Sequence, residues 1–535
     1  MEKLLLKHGW IADGTGNPGF TGDVMLEHDR ILCVSETPLP PEDCRVIDCS
    51  GQVIAPGFID CHSHQDRYLF YENELEMTEP FIRQGITTYV AGNCGFGVAG
   101  MEPGTPHREA LISDPGSRDP NARLLFPTYA DFFAHMARYG MRQNLALLAA
   151  HGVAAGSVLG MEPSGTLTPE IMRRIDYLLD EGMDAGCKGI SFGLGYRPGN
   201  FFTDDQIRQA SEHAIRRGKV IAVHERVMSL DHPMRPGEEP ENVRWHREYI
   251  ERFRDTGAKL QLSHLLFVGR SAFATYDAMM EMFDRQVETS GTDLWFDMYS
   301  YVQGVSGIQV LLPQVFYSMI PALYDNRELL SQFAAALNQA YADIGVPPSD
   351  IQLCNGIAEE YAPYRGMFMD EIMKARGVNV AELYTDLYRK TNGYARIYFY
   401  CEQDEANIPR QMLHPRALYM TDASVAPGCH QNQAAYGAMP KFLRLAREGG
   451  RQTLEETVAK MTGRTALRFD LKRRGFLRPG YYADLVVFDG HGIADRATPQ
   501  KPDTEPLGIS HVFVNGSHLL DRGRLNRASR SGMLA

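Results

Sequence analysis

The sequence contains no apolar run approaching the roughly 20 residues that span a bilayer, so no membrane-crossing segment is expected. It has no basic excess: 54 Lys and Arg stand against 67 Asp and Glu, giving a net charge of −13 with both signs interspersed. Without a basic stripe, nucleic acid is not an expected partner, and acidity of this size mainly favours solubility. Cysteine is sparse. Nine scattered thiols, an odd number, do not make a disulfide scaffold and suit a reducing cytosol in which most are buried. The opening "MEKLLLKHGWIADGTG" lacks the apolar h-region and small-residue cleavage site of a signal peptide. Internal repeats and low-complexity segments are also missing. These absences leave a cytoplasmic protein with a small-molecule substrate, and they leave formation of a homo-oligomer open.

What is present is a chain of 535 residues, 44% apolar and 23% charged, enough for one large enzyme domain and a smaller satellite. The first 55 residues read as short strands separated by Gly, Asp and Asn turns. The C-terminal stretches "LRPGYYADLVVFDG" and "GISHVFVNGSHLLDRGRL" read the same way, so strands from both termini are expected to pair in one small domain. Between them, short apolar runs such as "QGITTYVAGNCG", "GKVIAVHER" and "AKLQLSHLL" alternate with amphipathic segments such as "TPEIMRRIDYLLDEGMDAG". Strand–helix alternation predicts a parallel sheet, and six or more units favour an α/β fold of the (β/α)8 TIM-like barrel type. The stretch from about 303 to 377 breaks the rhythm and is expected to be an insertion in a βα loop.

The reactive residues sit where such a fold would gather them. His62 and His64 follow "VIAPGFID", Cys94 follows "ITTYVAGN", His224 follows "KVIAV", His264 follows "KLQLS" and Asp422 follows "ALYMT". Strand C-terminal ends share one face of a (β/α)8 barrel and open into one pocket. Any one of these residues alone is more often structural. A lone His is usually hydrogen-bonded in place, a lone Cys is usually core, and Asp422 could cap a helix. Six such coincidences together predict a site for one or two zinc ions, which take nitrogen, sulfur and carboxylate ligands. The His-x-His spacing fits as well, because residues i and i+2 of a strand face the same way.

Read together, these motifs resemble the amidohydrolase superfamily. "APGFIDCHSH" resembles its first-strand signature, and "LRPGYYADLVVFD" resembles the return into its small β-sandwich. "VAGNCGFG", "GISFGLGYRPG", "DMYSY" and "LEETVAKMTGRTALRFDLKRRGFLRPG" resemble the D-aminoacylase (N-acyl-D-amino-acid deacylase) branch. The resemblance implies a β-sandwich formed from 1–55 and 469–535 around a metal-dependent barrel of 56–468. It also implies that His62, His64 and Asp422 bind one metal, that Cys94, His224 and His264 bind a second, tighter zinc, and that Cys94 can bridge. Asp422 would then exchange protons with a metal-activated water and the leaving nitrogen. Tyr196, Arg197, Tyr299, Tyr301 and His430 are candidates for the substrate pocket.

The expected activity is zinc-dependent hydrolysis of a non-peptide amide, most of all deacylation of N-acyl-D-amino acids. A hydantoinase- or dihydroorotase-type cyclic-amide hydrolase, bridged by a carboxylated lysine, is the alternative within enzymes. Its candidate, Lys188, precedes its apolar run instead of following it. An inactive amidohydrolase-like scaffold is the alternative of another class. The cationic residues that grip the substrate carboxylate in the branch are replaced here: Leu266 stands where a lysine is common, Ala154 and Ala155 occupy the third-strand loop, and no arginine follows His430 as it does in the branch. Arg197 and Arg270 are the candidate substitutes.

Overall fold

The computed structural model describes residues 3–69, 74–113, 126–161, 167–230, 234–235, 237–308, 320–324, 326–355, 358–391, 393 and 395–535. Eight short parallel strands carry the middle of the chain: β1 (Phe58–Asp60), β2 (Ile86–Ala91), β3 (Asn144–Leu147, resumed at Ala149–Ala150), β4 (Gly189–Gly193), β5 (Val220–His224), β6 (Lys259–Leu262), β7 (Asp293–Met298) and β8 (Ala417–Tyr419). They form two arcs. β1, β2 and the first part of β3 pair in order, and the second part of β3 continues through β4 to β8. The outer edges meet through polar contacts: the Asp422 amide donates to the His62 carbonyl at 3.0 Å, and the Thr421 hydroxyl donates to Asp60 at 2.6 Å.

These strands are mostly apolar and buried over most of their length, as strands covered on both faces are. All six residues of β2 and all five of β4 and β5 are buried. The intervening helices are sharply punctuated. Pro169–Ala185 starts with the Thr168 hydroxyl accepting from the Ile171 amide and ends at Gly186. Asp204–Arg216 opens with a reciprocal capping box between Thr203 and Gln206.

Both termini build one nine-stranded mixed sheet, joined where Val53–Pro56 runs antiparallel to Leu485–Phe488. Hydrogen bonding is continuous across these strands, and their inner face has its own core, including Leu6, Ile11, Val24, Leu485 and Phe513. The segment expected as an insertion over 303–377 belongs to a longer unit. Its three-stranded antiparallel sheet (Gly304–Gly307, Ile351–Leu353, Arg396–Phe399) extends past 377, and its separate apolar core runs from Ile308 to Cys401. Helical periodicity after Gly377 conceals this extension, since only the pairing of distant strands shows where the unit closes. Among the described residues, no helix is long and apolar enough to cross a membrane.

Candidate metal centre

Five strand ends converge on one buried cluster. The Cys94 sulfur lies 3.2 Å from His62 Nε2 and 3.4 Å from His264 Nε2. Asp422 Oδ1 lies 3.3 Å from His62 Nε2 and 3.2 Å from His64 Nε2. His224 Nδ1 is 2.7 Å from His264 Nε2. The donors therefore fall into two overlapping groups, His62–Cys94–His264 and His62–His64–Asp422. His62 is shared, whereas the sequence reading placed it with only one metal. His224 stands beside the first group.

The donor set fits a metal. Two ligands of a tetrahedral zinc, each about 2.0–2.3 Å from the ion, lie roughly 3.5 Å apart, close to the spacings found here. The cluster is nearly dry: His62 is 0% exposed, His264 2% and Cys94 3%.

Two of the imidazoles that aim a nitrogen into the cluster face a carboxylate with their other nitrogen. His62 Nδ1 meets Asp297 Oδ1 at 3.2 Å, and His264 Nδ1 faces Glu225 Oε2 at 3.5 Å. Asp297 also accepts from the His264 amide at 2.7 Å and from Gln261 at 2.8 Å. Carboxylates behind histidines fix ring orientation and raise ligand basicity in metal sites. Sequence reasoning gave no role to either carboxylate. Glu225 directly follows His224, and Asp297 opens "DMYSY", but only contact shows which histidines they serve.

Charge follows this arrangement. Burial opposes ionisation of the Cys94 thiol, yet His62 and His264 hold it well below its usual range. Burial likewise opposes the Asp422 carboxylate, and His62 and His64 hold it low. Against its own burial, His62 is raised by Cys94 and Asp422. A thiolate and a carboxylate among imidazoles are the donor types that zinc takes. Backbone strain marks the same residues. Cys94, His264 and Asp422 adopt φ of +55°, +37° and +46°, a left-handed conformation that costs a non-glycine residue of order 1 kcal/mol or more.

The other candidates separate clearly. Tyr196 packs on the His224 ring at 4.2 Å and lines the cavity. Tyr299 is buried behind the site and its hydroxyl donates to Glu402. Tyr301 turns away, donating to Asp495 at 3.1 Å. His430 is held by the Pro499 carbonyl at 2.7 Å. Arg197 is not among the cavity-lining residues, and Arg270 pairs with Asp350 at 2.5 Å. Tyr301, Arg197, Arg270 and His430 are not among the residues that line the cavity beside the cluster. Lys188 sits at the opening end of β4 and has Lys219, Asp470 and Lys472 as electrostatic neighbours. At the closing end, a Cβ on Gly193 would lie 2.2 Å from the Cys94 carbonyl, so the Cys94 loop occupies that space.

An α/β protein that gathers imidazoles, a thiol and a carboxylate at parallel strand ends belongs to the class of metal-dependent hydrolases. Comparison with known proteins narrows this. The Amidohydrolase family profile matches residues 420–519. D-aminoacylase of Alcaligenes xylosoxydans xylosoxydans is 28% identical over 96% of this chain and 93% of its own. N-acyl-D-glutamate deacylase of the same organism is 28% identical over 96% of this chain and 92% of its own. Among solved structures, N-acyl-D-glutamate deacylase of Bordetella bronchiseptica, complexed with zinc and a phosphonate mimic of the tetrahedral intermediate, superposes with a TM-score of 0.80 at 25% identity, covering 100% of this chain and 99% of that one. A D-aminoacylase with a binuclear metal centre gives a TM-score of 0.78 at 26% identity, with 100% and 99% coverage. Over nearly its whole length the chain is similar to proteins of the D-aminoacylase branch of the amidohydrolases, and residues 420–519 match the Amidohydrolase family itself.

Proposed function

We propose that the protein is a zinc-dependent deacylase of N-acyl-D-amino acids, with His62, His64, Cys94, His224, His264 and Asp422 holding one or two ions. The carrying observation is the buried thiol of Cys94 between His62 and His264 at 3.2 and 3.4 Å. The relatives that match nearly the whole chain support the substrate class, since they are named for D-amino-acid deacylation. In this reading the two parallel arcs form one (β/α)8 barrel over 56–468, and 1–55 with 469–535 form the small domain.

Bound zinc would supply Lewis acidity toward the amide carbonyl and acidify a water. The chain's own residues do the rest. Asp422, kept ionised by His62 and His64, is the proton acceptor and delivers the proton to the departing nitrogen. Asp297 and Glu225 orient His62 and His264. Tyr196 and Phe96, whose rings lie 5.0 Å apart, wall the cavity. The cyclic-amide reading needs a lysine at the metal end of β4, and Lys188 is at the other end.

Paired N-acyl-D- and N-acyl-L-amino acids, assayed with and without a chelator, test the proposal. Hydrolysis of the D-series that the chelator abolishes is expected, and zinc-loaded protein that hydrolyses neither series overturns it. An Asp422→Asn variant should keep most of its zinc while kcat falls by about 100-fold or more. Near-normal kcat would remove Asp422 from this role.

A further inference from the structure

The sequence shows a substrate pocket stripped of the branch's cations, and the structure supplies two others. We propose that Arg396, presented by the antiparallel sheet of the inserted unit, and Arg67, seven residues after Asp60 at the end of β1, form the subsite that holds the carboxylate of the substrate's amino-acid half. This rests on the deacylase reading above and identifies which residues select its substrate.

Both arginines line the cavity into which Cys94, His264 and Asp422 open. They come from different parts of the chain, the segment after β1 and the inserted unit. Arg67 follows the His-x-His segment and its guanidinium carbon lies 4.9 Å above the Phe96 ring, which also walls the cavity. Stacking on an aromatic face fixes the plane of a guanidinium, and it is in that plane that a guanidinium pairs with carboxylates. Arg396 begins the strand Arg396–Phe399. Its amide donates to Asn355 Oδ1 at 2.9 Å, and its carbonyl accepts from the Cys354 amide at 2.8 Å. It sits opposite Gly307 in the ladder, and Gly307 and Ser306 also line the cavity. The Arg396 backbone is thus fixed before any ligand arrives.

The two cations work against each other. Burial depresses the Arg67 guanidinium, Asp66 opposes that shift, and Arg396 adds like-charge repulsion. Asp66 does not line the cavity. Among the described residues, Arg396 forms no ion pair with a carboxylate, whereas Arg226 and Arg270 are paired with Asp204 and Asp350. Two half-buried guanidiniums lining one cavity gain from an anion bound in it. An N-acyl amino acid bound with its amide at the metal cluster offers one, its free carboxylate. Arg396 precedes Asp422 and lies within the inserted unit, so the carboxylate anchor is delivered by the insertion and not by the loop after β8.

The test compares an N-acetyl-D-amino acid with its methyl ester, using zinc-loaded wild-type protein and the Arg396→Met, Arg396→Lys and Arg67→Met variants, with zinc content measured for each. For wild type, the acid should exceed the ester in kcat/KM. In Arg396→Met, kcat/KM for the acid should fall roughly 10- to 100-fold, mainly through KM, while the ester changes little and zinc is retained. Arg396→Lys should recover part of the loss, and Arg67→Met should also narrow the acid-to-ester ratio. If Arg396→Met does not fold, the Lys and Arg67 variants carry the same comparison. Equal losses on acid and ester, or no change on either, overturn the assignment while the deacylase reading stands. Wild-type protein inactive on every N-acyl-D-amino acid overturns both.

Discussion

Asp297 holds two residues of the centre at once. One carboxylate orients His62 through its ring, fixes the turn into His264 through the backbone, and is held in turn by Gln261. An Asp297→Asn variant retains the size of the side chain but has only one acceptor oxygen and places an NH2 group against a neighbour. Metal affinity should fall about 10- to 100-fold, measured by competition with a chromophoric chelator, and unchanged affinity would show that the histidines are oriented by packing alone. His62, His64, Cys94, His224, His264 and Asp422 were legible in sequence because each ends an apolar run. Asp297, Glu225, Arg67 and Arg396 were not, because a supporting contact has no spacing rule: their partners lie on other strands or in the inserted unit.

At the scale of elements, the site depends on how closely the loops after β2 and β4 pass. A Cβ at Gly95 would lie 2.8 Å from the Gly193 amide nitrogen, and one at Gly193 would lie 2.2 Å from the Cys94 carbonyl. Both contacts are to backbone, which cannot swing aside as a side chain can. Gly193→Ala should therefore cost about 1–3 kcal/mol of stability and displace the Cys94 loop. Lowered zinc stoichiometry together with a lowered melting temperature is the expected result, and a fully metallated, equally stable variant would contradict it. Strand–helix alternation was readable because fully buried parallel strands are short apolar runs bounded by capped helices. The true extent of the inserted unit was not, since antiparallel pairing between Gly304–Gly307 and Arg396–Phe399 spans nearly a hundred residues of intervening chain.

For the whole molecule, pH dependence should report a buried histidine outside the metal cluster. His151 follows the second part of β3, is fully buried, and lies between Phe192 and Phe202 at 4.9 and 4.6 Å. Neither ring nitrogen finds a partner among the described residues, and burial lowers its pKa to about 3. The unfolded chain takes up this proton near pH 6.5 and the folded one does not, so stability present above pH 6.5 is lost as pH falls toward 3. This single group contributes a loss of about 2 kcal/mol between pH 7 and pH 5. Denaturant midpoints of wild type and His151→Leu at the two pH values check it: the variant should show a smaller drop, and parallel drops would assign the acid sensitivity to other groups.

The sequence by itself pointed to the chemistry proposed for this protein. Apolar runs ending in His, Cys and Asp are local patterns, and parallel β/α topology brings strand ends together whatever the loops do, so the convergence of these residue types was readable without coordinates, and the resemblance of the motifs added the hydrolase class. Tertiary structure alone decided how the ligands are grouped, which carboxylates hold them, and which cations face the substrate. Those choices depend on side chains meeting across distant segments, where distance along the chain carries no information about distance in space.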